Sequence, residues 1–301
     1  MSAGMTSTER LAAQLTSHHA ERLELTGAGR PVAALVGRRL GPSAPVAVLV
    51  PGYTGSKEDF APLLDPIVAA GIEVVAIDLP GQQHSPGAGD ESAYSPAALG
   101  AVVADLVDKL AADGRPVLLL GHSFGGLVCR RATLAGAPVT GLTLMGSGPA
   151  ALPPGPRRTL LDLGEPVLLE RGVAGAADLL EAMRGGDPAW LRMPEPLRTF
   201  LNARFRNTDR AGLLGMGSGL RTEPDLVAEL AATLHRAACP SLVVCGETDD
   251  AWPVVVQRDM AQRLGADFAT VAAAAHSPNV ENPAGLLATL LPTWQRWLAR
   301  A

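Results

Sequence analysis

One serine in this sequence stands between glycines where a strand-like segment gives way to a helix-like one. Residues 116–126 read PVLLLGHSFGG, and the pattern Gly-x-Ser-x-Gly centres on Ser123. A tight strand-to-helix turn holds such a hydroxyl out of the chain, and its flanking residues must be small because Cβ atoms there would collide with the strand and helix. The amides that begin the helix point at the reacting oxygen. The pattern predicts a nucleophilic serine rather than a Gly-rich structural turn.

A serine hydroxyl needs a base within hydrogen-bond reach, and the sequence contains six histidines. His276 is the favoured base because it follows the last predicted strand, in AAAAHSPNVENP, at the sheet edge where functional loops gather. His84 lies on another loop at this edge and is a candidate pocket residue, with an ordinary loop role as the favoured alternative. For His122 we expect packing, because the turn directs its side chain away from the serine. The others lie in the N-terminal segment or late in a predicted helix: His18, His19 and His235.

The imidazole in turn needs an acid that fixes its tautomer and stabilises the imidazolium. The predicted strand 241–245 runs into GETDDAWP, where Asp249 is our choice and Asp250 and Glu247 are rivals that the sequence separates only weakly. The order Ser, Asp, His along the chain is the order found in α/β-hydrolases.

Stabilising an oxyanion takes two preorganised donors. The backbone amide of Phe124, directly after the serine, is one candidate. The loop after the predicted strand 46–50 reads PGYTG, and the amide of Tyr53 is the natural second donor, since Gly52 allows close approach. The Tyr53 phenol is either a substrate contact or a stacked structural aromatic.

These residues need a scaffold, and short apolar segments alternating with helical patterns predict a parallel sheet covered on both faces. The first strands are joined by turns too short for a crossover, so we expect antiparallel neighbours there. The predicted strands are 23–25, 32–38, 46–50, 72–78, 116–120, 139–145, 241–245 and 268–274. The predicted helices of the same unit are 60–70, 95–112, 127–135, 254–264 and 283–299.

The strand pattern stops at residues 146–149 and resumes only at 240, which predicts a helical cap over one end of the sheet rather than a second independent domain. We assign residues 1–148 and 238–301 to the core and 149–237 to the cap. Amphipathic segments there are 167–183, 195–205, 209–215 and 224–236. The segment GLLGMGSGL contains Leu214 and Met216 as candidate pocket residues, and its glycines disfavour a regular helix. Trp252, just after the acid, either walls the pocket or is buried between helix and sheet.

Composition narrows the function classes. The 301 residues are 47% hydrophobic, carry a net charge of −5 and contain no basic stripe, which argues against a nucleic-acid partner. Three cysteines without a CxxC pair argue against a disulfide framework and a zinc site. No signal peptide or membrane-length apolar segment is evident. We expect a cytoplasmic monomer or homodimer that acts on a small molecule, with no metal, cofactor or membrane partner.

Five segments together resemble the α/β-hydrolase superfamily over nearly the whole chain: VAVLVPGYTG, VVAIDLPGQQHS, VLLLGHSFGG, LVVCGETDDAWP and AAHSPNVENP. The resemblance implies a mostly parallel eight-stranded sheet flanked by helices, a helical cap inserted after strand 6, and a triad of Ser123, Asp249 and His276. Most members of the superfamily have His before the glycine of the oxyanion loop, and this chain has Pro51 there. Because the expected donor is a backbone amide, we expect the oxyanion hole to form despite this difference. Residues 51–60 also resemble the same loop in the SHCHC synthase of the menaquinone pathway, which uses this triad for an elimination.

The function that follows is a serine hydrolase cleaving a carboxylic ester or related acyl bond of a small-to-medium hydrophobic substrate. The alternative is a lyase or a C–C bond hydrolase, of the SHCHC-synthase or β-diketone type, that keeps the triad. A non-catalytic small-molecule receptor on the same scaffold is the third reading.

Overall fold

One eight-stranded sheet organises the protein, whose computed structural model describes residues 13–37, 40–41 and 43–300. In space the strands follow the order β1-β2-β4-β3-β5-β6-β7-β8. The pairs β1–β2 and β2–β4 are antiparallel, and the remaining pairs are parallel. The strands are β1 (Glu21–Gly27), β2 (Arg30–Val36), β3 (Val46–Val50), β4 (Glu73–Ile77), β5 (Val117–His122), β6 (Gly141–Met145), β7 (Ser241–Gly246) and β8 (Asp267–Val271).

Helices cover both faces of this sheet. Strands β3 to β7 are buried throughout, which is why they read as near-continuous apolar segments rather than alternating ones. The helices of the core are α1 (Ala61–Ala69), α2 (Pro96–Leu110), α3 (Phe124–Leu134), α9 (Val254–Leu264), α10 (Pro278–Glu281) and α11 (Pro283–Leu298). Short 3-10 turns lie at Ala13–Leu15, Lys57–Phe60, Glu91–Tyr94 and Ala112–Gly114. The predicted fold class is confirmed.

The antiparallel edge departs in part from the expectation. β1 and β2 are antiparallel neighbours as predicted, but β2 does not pair with β3, because β4 lies between them. The short turns excluded a crossover connection, but they did not determine which strand pairs with β2. The predicted strand 32–38 ends outside the described residues at Arg38. The last strand ends three residues earlier than predicted, at Val271, and Ala273 then turns with a φ of 51°.

Five helices are inserted between β6 and β7, and we call them the cap helices. They are α4 (Pro156–Arg184), α5 (Pro188–Arg192), α6 (Glu195–Arg206), α7 (Arg210–Thr222) and α8 (Val227–Arg236). α4 begins earlier than predicted and is kinked at Gly172, where φ is 66°, and α5 was not predicted. The domain boundaries at residues 149 and 237 stay a prediction.

Helix α7 runs without interruption through GLLGMGSGL, against the expectation from its glycines. A Cβ at Gly215 would lie 2.2 Å from the carbonyl oxygen of Glu91, and one at Gly219 would lie 2.6 Å from Cδ of Pro96. The glycines therefore let this helix approach the core closely, and packing outweighs their low helix propensity.

In the described part of the chain, no helix is both long enough and apolar enough to cross a membrane. The three cysteines are buried thiols: Cys129, Cys239 and Cys245.

Candidate active site

The turn between β5 and α3 holds Ser123 in a strained backbone conformation. Its φ is 55° and its ψ is −120°, a region that costs a residue with a side chain on the order of 1–3 kcal/mol. A Cβ at Gly121 would lie 2.3 Å from the carbonyl oxygen of Gly125, and a Cβ at Gly125 would lie 2.4 Å from that of Val50. The glycines on both sides of the serine are therefore required by contact, as the motif predicts.

Three strand ends bring the predicted serine, histidine and aspartate together. Nε2 of His276 lies 2.9 Å from Oγ of Ser123, and Nδ1 of His276 lies 3.0 Å from Oδ1 of Asp249. All three side chains are buried. When Nδ1–H donates to the carboxylate, Nε2 is left as the acceptor of the serine hydroxyl proton. This arrangement suits general-base activation of an alcohol.

Asp249 is held as a carboxylate by its surroundings. Burial raises its pKa, but hydrogen bonds from His276, from the Ala251 amide at 2.9 Å and from Nε2 of Gln257 at 2.9 Å outweigh it, so the pKa lies below its usual value. Gln257 was not singled out in the sequence, because its position on α9 gives no local signal that it reaches Asp249.

The two rival acids point elsewhere. Asp250 is exposed and pairs with Arg157 at 2.7 Å. Glu247 accepts a hydrogen bond from the amide of Ala273 at 2.9 Å. The structure therefore brings Asp249, rather than its neighbours, to the imidazole.

The loop after β3 passes close over the serine. A Cβ at Gly52 would lie 3.2 Å from Cβ of Ser123, so only glycine allows this approach without a shift. The amide of Phe124 begins helix α3 and has no intrahelical acceptor. The amide of Tyr53 likewise has no acceptor within residues 13–37, 40–41 and 43–300. Two free N–H groups thus flank the serine on the segments from which the oxyanion donors are predicted.

Gln82 orients this loop and was missed from the sequence. Its fully buried side-chain amide donates to the carbonyl oxygens of Gly52 at 2.7 Å and Tyr53 at 3.0 Å. Holding a carbonyl fixes the peptide plane, and with it the direction of the neighbouring N–H. The only available signal was its place in PGQQHS, directly after a strand.

His122 packs as expected but also makes a specific contact. Its ring lies 5.1 Å from the ring of His276, and its Nε2 is 2.9 Å from the carbonyl oxygen of His276. Burial, followed by the nearby His276, lowers the pKa of His122 to about 4. The ring is therefore neutral at pH 7, and its Nε2–H donates to the His276 carbonyl.

A cavity of about 620 Å³ reaches the serine and the histidine, and its walls are mainly leucines from the cap helices. Leu214 lines it, as predicted from the sequence. Tyr53 lines it too, and its phenol donates to the carbonyl oxygen of Leu213 at 3.0 Å; burial raises the pKa of this phenol, which keeps its proton. Other apolar wall residues are Leu152, Leu160, Leu161, Leu163, Leu168, Leu179, Leu180, Met183, Phe205 and Leu220.

Three residues predicted to contact substrate are not brought to this cavity. Nδ1 of His84 lies 2.8 Å from Nζ of Lys57, on a loop outside the cavity lining. Met216 is fully buried on the side of α7 that faces Gln82. Trp252 turns its indole N–H to the carbonyl oxygen of Ala150 at 3.2 Å, and its ring is 6.5 Å from that of His276. Each side chain is engaged by packing or a hydrogen bond that the sequence pattern does not reveal.

A buried charge cluster beneath the loop after β3 resembles a cation site in its residue types. Carboxylates of Glu58 and Asp78 and the ring of His84 converge within 4.8 Å of one another. The ammonium of Lys57 lies among them, 2.6 Å from Asp78 and 3.0 Å from Glu58. Lys57 thus offsets one of the two carboxylate charges, in the place that a cation would take.

The chain is similar in sequence to known proteins. The model described as the alpha/beta hydrolase family matches residues 47–289. A curated relative, 2-succinyl-6-hydroxy-2,4-cyclohexadiene-1-carboxylate synthase of Escherichia coli, is 29% identical over 175 residues. This alignment covers 57% of the chain and 66% of that enzyme, slightly less than two thirds of its length.

Solved structures share the fold at low sequence identity. A carboxylesterase of Nitrososphaera gargenis superposes with a TM-score of 0.73 at 16% identity, covering 93% of this chain and all of that one. The enol-lactonase of Burkholderia xenovorans reaches 0.72 at 20% identity, over 92% and 100% of the two chains. MenH from S. aureus reaches 0.70 at 18% identity, over 88% and 98%.

Proposed function

Because the chain belongs to the alpha/beta hydrolase family, we propose that it is a serine hydrolase that cleaves a carboxylic ester or a related acyl bond. The observation that carries the proposal is the hydrogen-bond chain from Asp249 through His276 to Ser123, whose serine end lies at the floor of an apolar cavity. A buried serine with an adjacent oriented base is the arrangement that acyl transfer requires.

The proposed reaction proceeds in two halves. Oγ of Ser123 attacks the carbonyl carbon while Nε2 of His276 takes the hydroxyl proton, and the amides of Tyr53 and Phe124 stabilise the oxyanion. As the carbon–oxygen bond to the alcohol breaks, His276 returns the proton to the leaving alkoxide. Water, deprotonated by His276, then attacks the acyl carbon, and Ser123 leaves with that proton as the carboxylic acid is released.

The lining of the cavity supports a small-to-medium hydrophobic substrate. A volume of about 620 Å³ lies within the range of pockets that hold small organic molecules. The leucine walls favour an aliphatic acyl or alcohol portion, since burying each methylene there contributes roughly 0.8 kcal/mol.

A second candidate function is a lyase reaction or C–C bond cleavage with the same three residues. The observation that favours it is the 29% identity to the Escherichia coli synthase. In an elimination, His276, through Ser123, would remove a proton from carbon, and no acyl-enzyme would form.

Ester turnover distinguishes these candidates, and covalent labelling identifies the nucleophile. We expect a fluorophosphonate probe to modify the wild-type protein and the Ser218→Ala control, which changes an exposed serine of α7, but not Ser123→Ala. Without the probe, we expect wild type and Ser218→Ala to hydrolyse p-nitrophenyl esters, with a profile across chain length that measures the cavity. If no ester is hydrolysed while a β-diketone or enol-type substrate is consumed, the lyase or C–C reading replaces ours. Labelling without any turnover would favour a receptor.

A further inference from the structure

Four arginines line the cavity described above, and three of them have carboxylate partners. Arg157 pairs with Asp250, Arg221 pairs with Asp162 and Glu165, and Arg204 pairs with Asp59. The N···O distances of these pairs are 2.6–3.0 Å. These three guanidinium groups are therefore neutralised locally.

Arg184, the last residue of α4, differs from them. Within the described ranges of the chain no carboxylate lies within 4.0 Å of its guanidinium, which instead stacks on the ring of Trp190 at 4.5 Å from the centroid. Stacking uses the face of the guanidinium and leaves the in-plane N–H donors for another partner. Two acids lie three residues from Arg184 in sequence: Asp187 caps α5 by accepting from the amide of Ala189 at 2.8 Å, and Glu181 lies 3.8 Å from the guanidinium of Arg206.

Arg184 and Arg204 share one end of the cavity. Burial, and after it the charge of Arg204, lowers the pKa of Arg184, and the charge of Asp187 opposes this in part. Arg204 has one amino group on Asp59 at 2.6 Å, while its buried Nε has no acceptor among the residues that the structure describes. Among the described residues, Arg184 and Arg204 thus both keep N–H donors that no carboxylate engages at this end of the cavity.

We infer that Arg184, with Arg204 beside it, forms a subsite for a carboxylate of the substrate, at the other end of an apolar chain from the bond that is cleaved. This inference rests on the proposed ester hydrolase function. A guanidinium presents paired N–H donors that match a carboxylate, and the nearby charge of Asp187 disfavours a dianion such as phosphate. Leu180 lies one turn before Arg184 on α4 and also lines the cavity, so an aliphatic chain leads to the charge.

A purely structural role for Arg184 is the competing explanation. A cation in the last turn of a helix interacts favourably with the helix dipole, and this requires no ligand. Such a role affects stability but does not discriminate between a charged and a neutral substrate, so a matched ester pair separates the two.

The test compares monomethyl and dimethyl esters of adipate, suberate and sebacate, which differ only in the charge at the far end. For the best chain length we expect wild type to hydrolyse the monomethyl ester with a kcat/KM about tenfold or more above that of the dimethyl ester, mainly through KM. Arg184→Met abolishes this preference by lowering kcat/KM for the monomethyl ester, and Arg184→Lys retains part of it. Arg192→Met, which removes an exposed arginine outside the cavity lining, keeps the wild-type ratio.

A binding measurement keeps the subsite testable apart from catalysis. Calorimetric titration of Ser123→Ala should show monomethyl suberate binding about tenfold or more tighter than dimethyl suberate, and added Arg184→Met should remove the difference. Equal binding of the two esters, or a preference that survives Arg184→Met, would overturn the subsite. If wild type hydrolyses neither ester but the binding difference is present, the ester hydrolase function fails and the carboxylate subsite stands.

Discussion

The floor of the cavity is made by the ends of core strands, whereas its walls are made by cap helices. On the floor, Ser123 and His276 are buried and joined by a hydrogen bond of 2.9 Å, and the buried Asp249 behind them lies 3.0 Å from His276. On the walls, Leu160, Leu163 and Met183 are 43–60% exposed although they line the cavity.

This difference indicates that the floor positions the reacting atoms, whereas the wall determines which substrate fits. Close packing around the floor leaves little freedom in the position of each reacting atom, which acyl transfer requires. The exposed residues of the wall can change at little cost in stability, and such changes alter which substrate fits. Substitutions on the floor should therefore act on kcat or folding, and substitutions on the wall on KM.

The largest effect on kcat is expected for a change to Asp249, the acid that hydrogen-bonds His276. Asp249→Asn should lower kcat about 10⁴-fold, because an amide donates to Nδ1 and holds the imidazole in the wrong tautomer. Steady-state kinetics on a p-nitrophenyl ester measures this. The matched control is Asp250→Asn, which removes an exposed carboxylate on the next residue and should leave kcat within about threefold. Similar losses in both variants would mean that Asp249 is not the residue that orients His276.

A second prediction uses the pH dependence of stability. His122 has a pKa of about 4 in the folded protein against roughly 6.5 when exposed, so the unfolded chain binds more protons between these values. Its contribution, about 3 kcal/mol, is fully present above pH 6.5 and is lost as the pH falls toward 4.

Denaturant unfolding at pH 7 and pH 4.5 tests this. The fall in unfolding free energy should be smaller in His122→Gln than in wild type. The control is His235→Gln in α8, whose exposed side chain meets water in both states, and its fall should equal that of wild type. An unchanged fall in His122→Gln would show that acid sensitivity arises elsewhere.

The third prediction compares a glycine of the floor with one of the wall. Gly125→Ala places a methyl group 2.4 Å from the carbonyl oxygen of Val50 and should lower the free energy of unfolding by about 1–3 kcal/mol. Gly164→Ala in α4 meets nothing within 4 Å and should raise it by up to about 1 kcal/mol, since alanine favours a helix. Thermal or denaturant unfolding measures both, and opposite signs are the expected result.

The same division explains how much could be predicted from the sequence. Ser123, Asp249 and His276 could be grouped because each follows a strand, and parallel strands end at one edge of the sheet. The need for glycine on both sides of Ser123 could be predicted because a tight strand-to-helix turn leaves no room for a Cβ at these positions. Their catalytic roles stay predictions that the experiments above address.

The rest depends on contacts between distant segments. Gln82 donates a hydrogen bond to the carbonyl oxygen of Tyr53, and Gln257 donates one to Asp249. No local sequence pattern predicts either contact. The glycines of α7 suggested an irregular segment, although they serve close packing against the core. The orientations of His84 and Trp252 depend on partners, Lys57 and Ala150, that only the folded chain brings near.

The smallest effect on stability is expected for an exposed wall leucine, and it tests the division most directly. Leu163 is 60% exposed and lines the cavity, whereas Leu191 is 56% exposed and lies outside its lining. Leu163→Ser should leave the free energy of unfolding within about 0.5 kcal/mol and raise KM for long-chain esters about threefold or more, with kcat unchanged. Leu191→Ser should change neither, as initial rates across an ester chain-length series would show. A drop in kcat for Leu163→Ser at unchanged KM would mean that the wall takes part in positioning the reacting atoms, and the separation of floor from wall would fail.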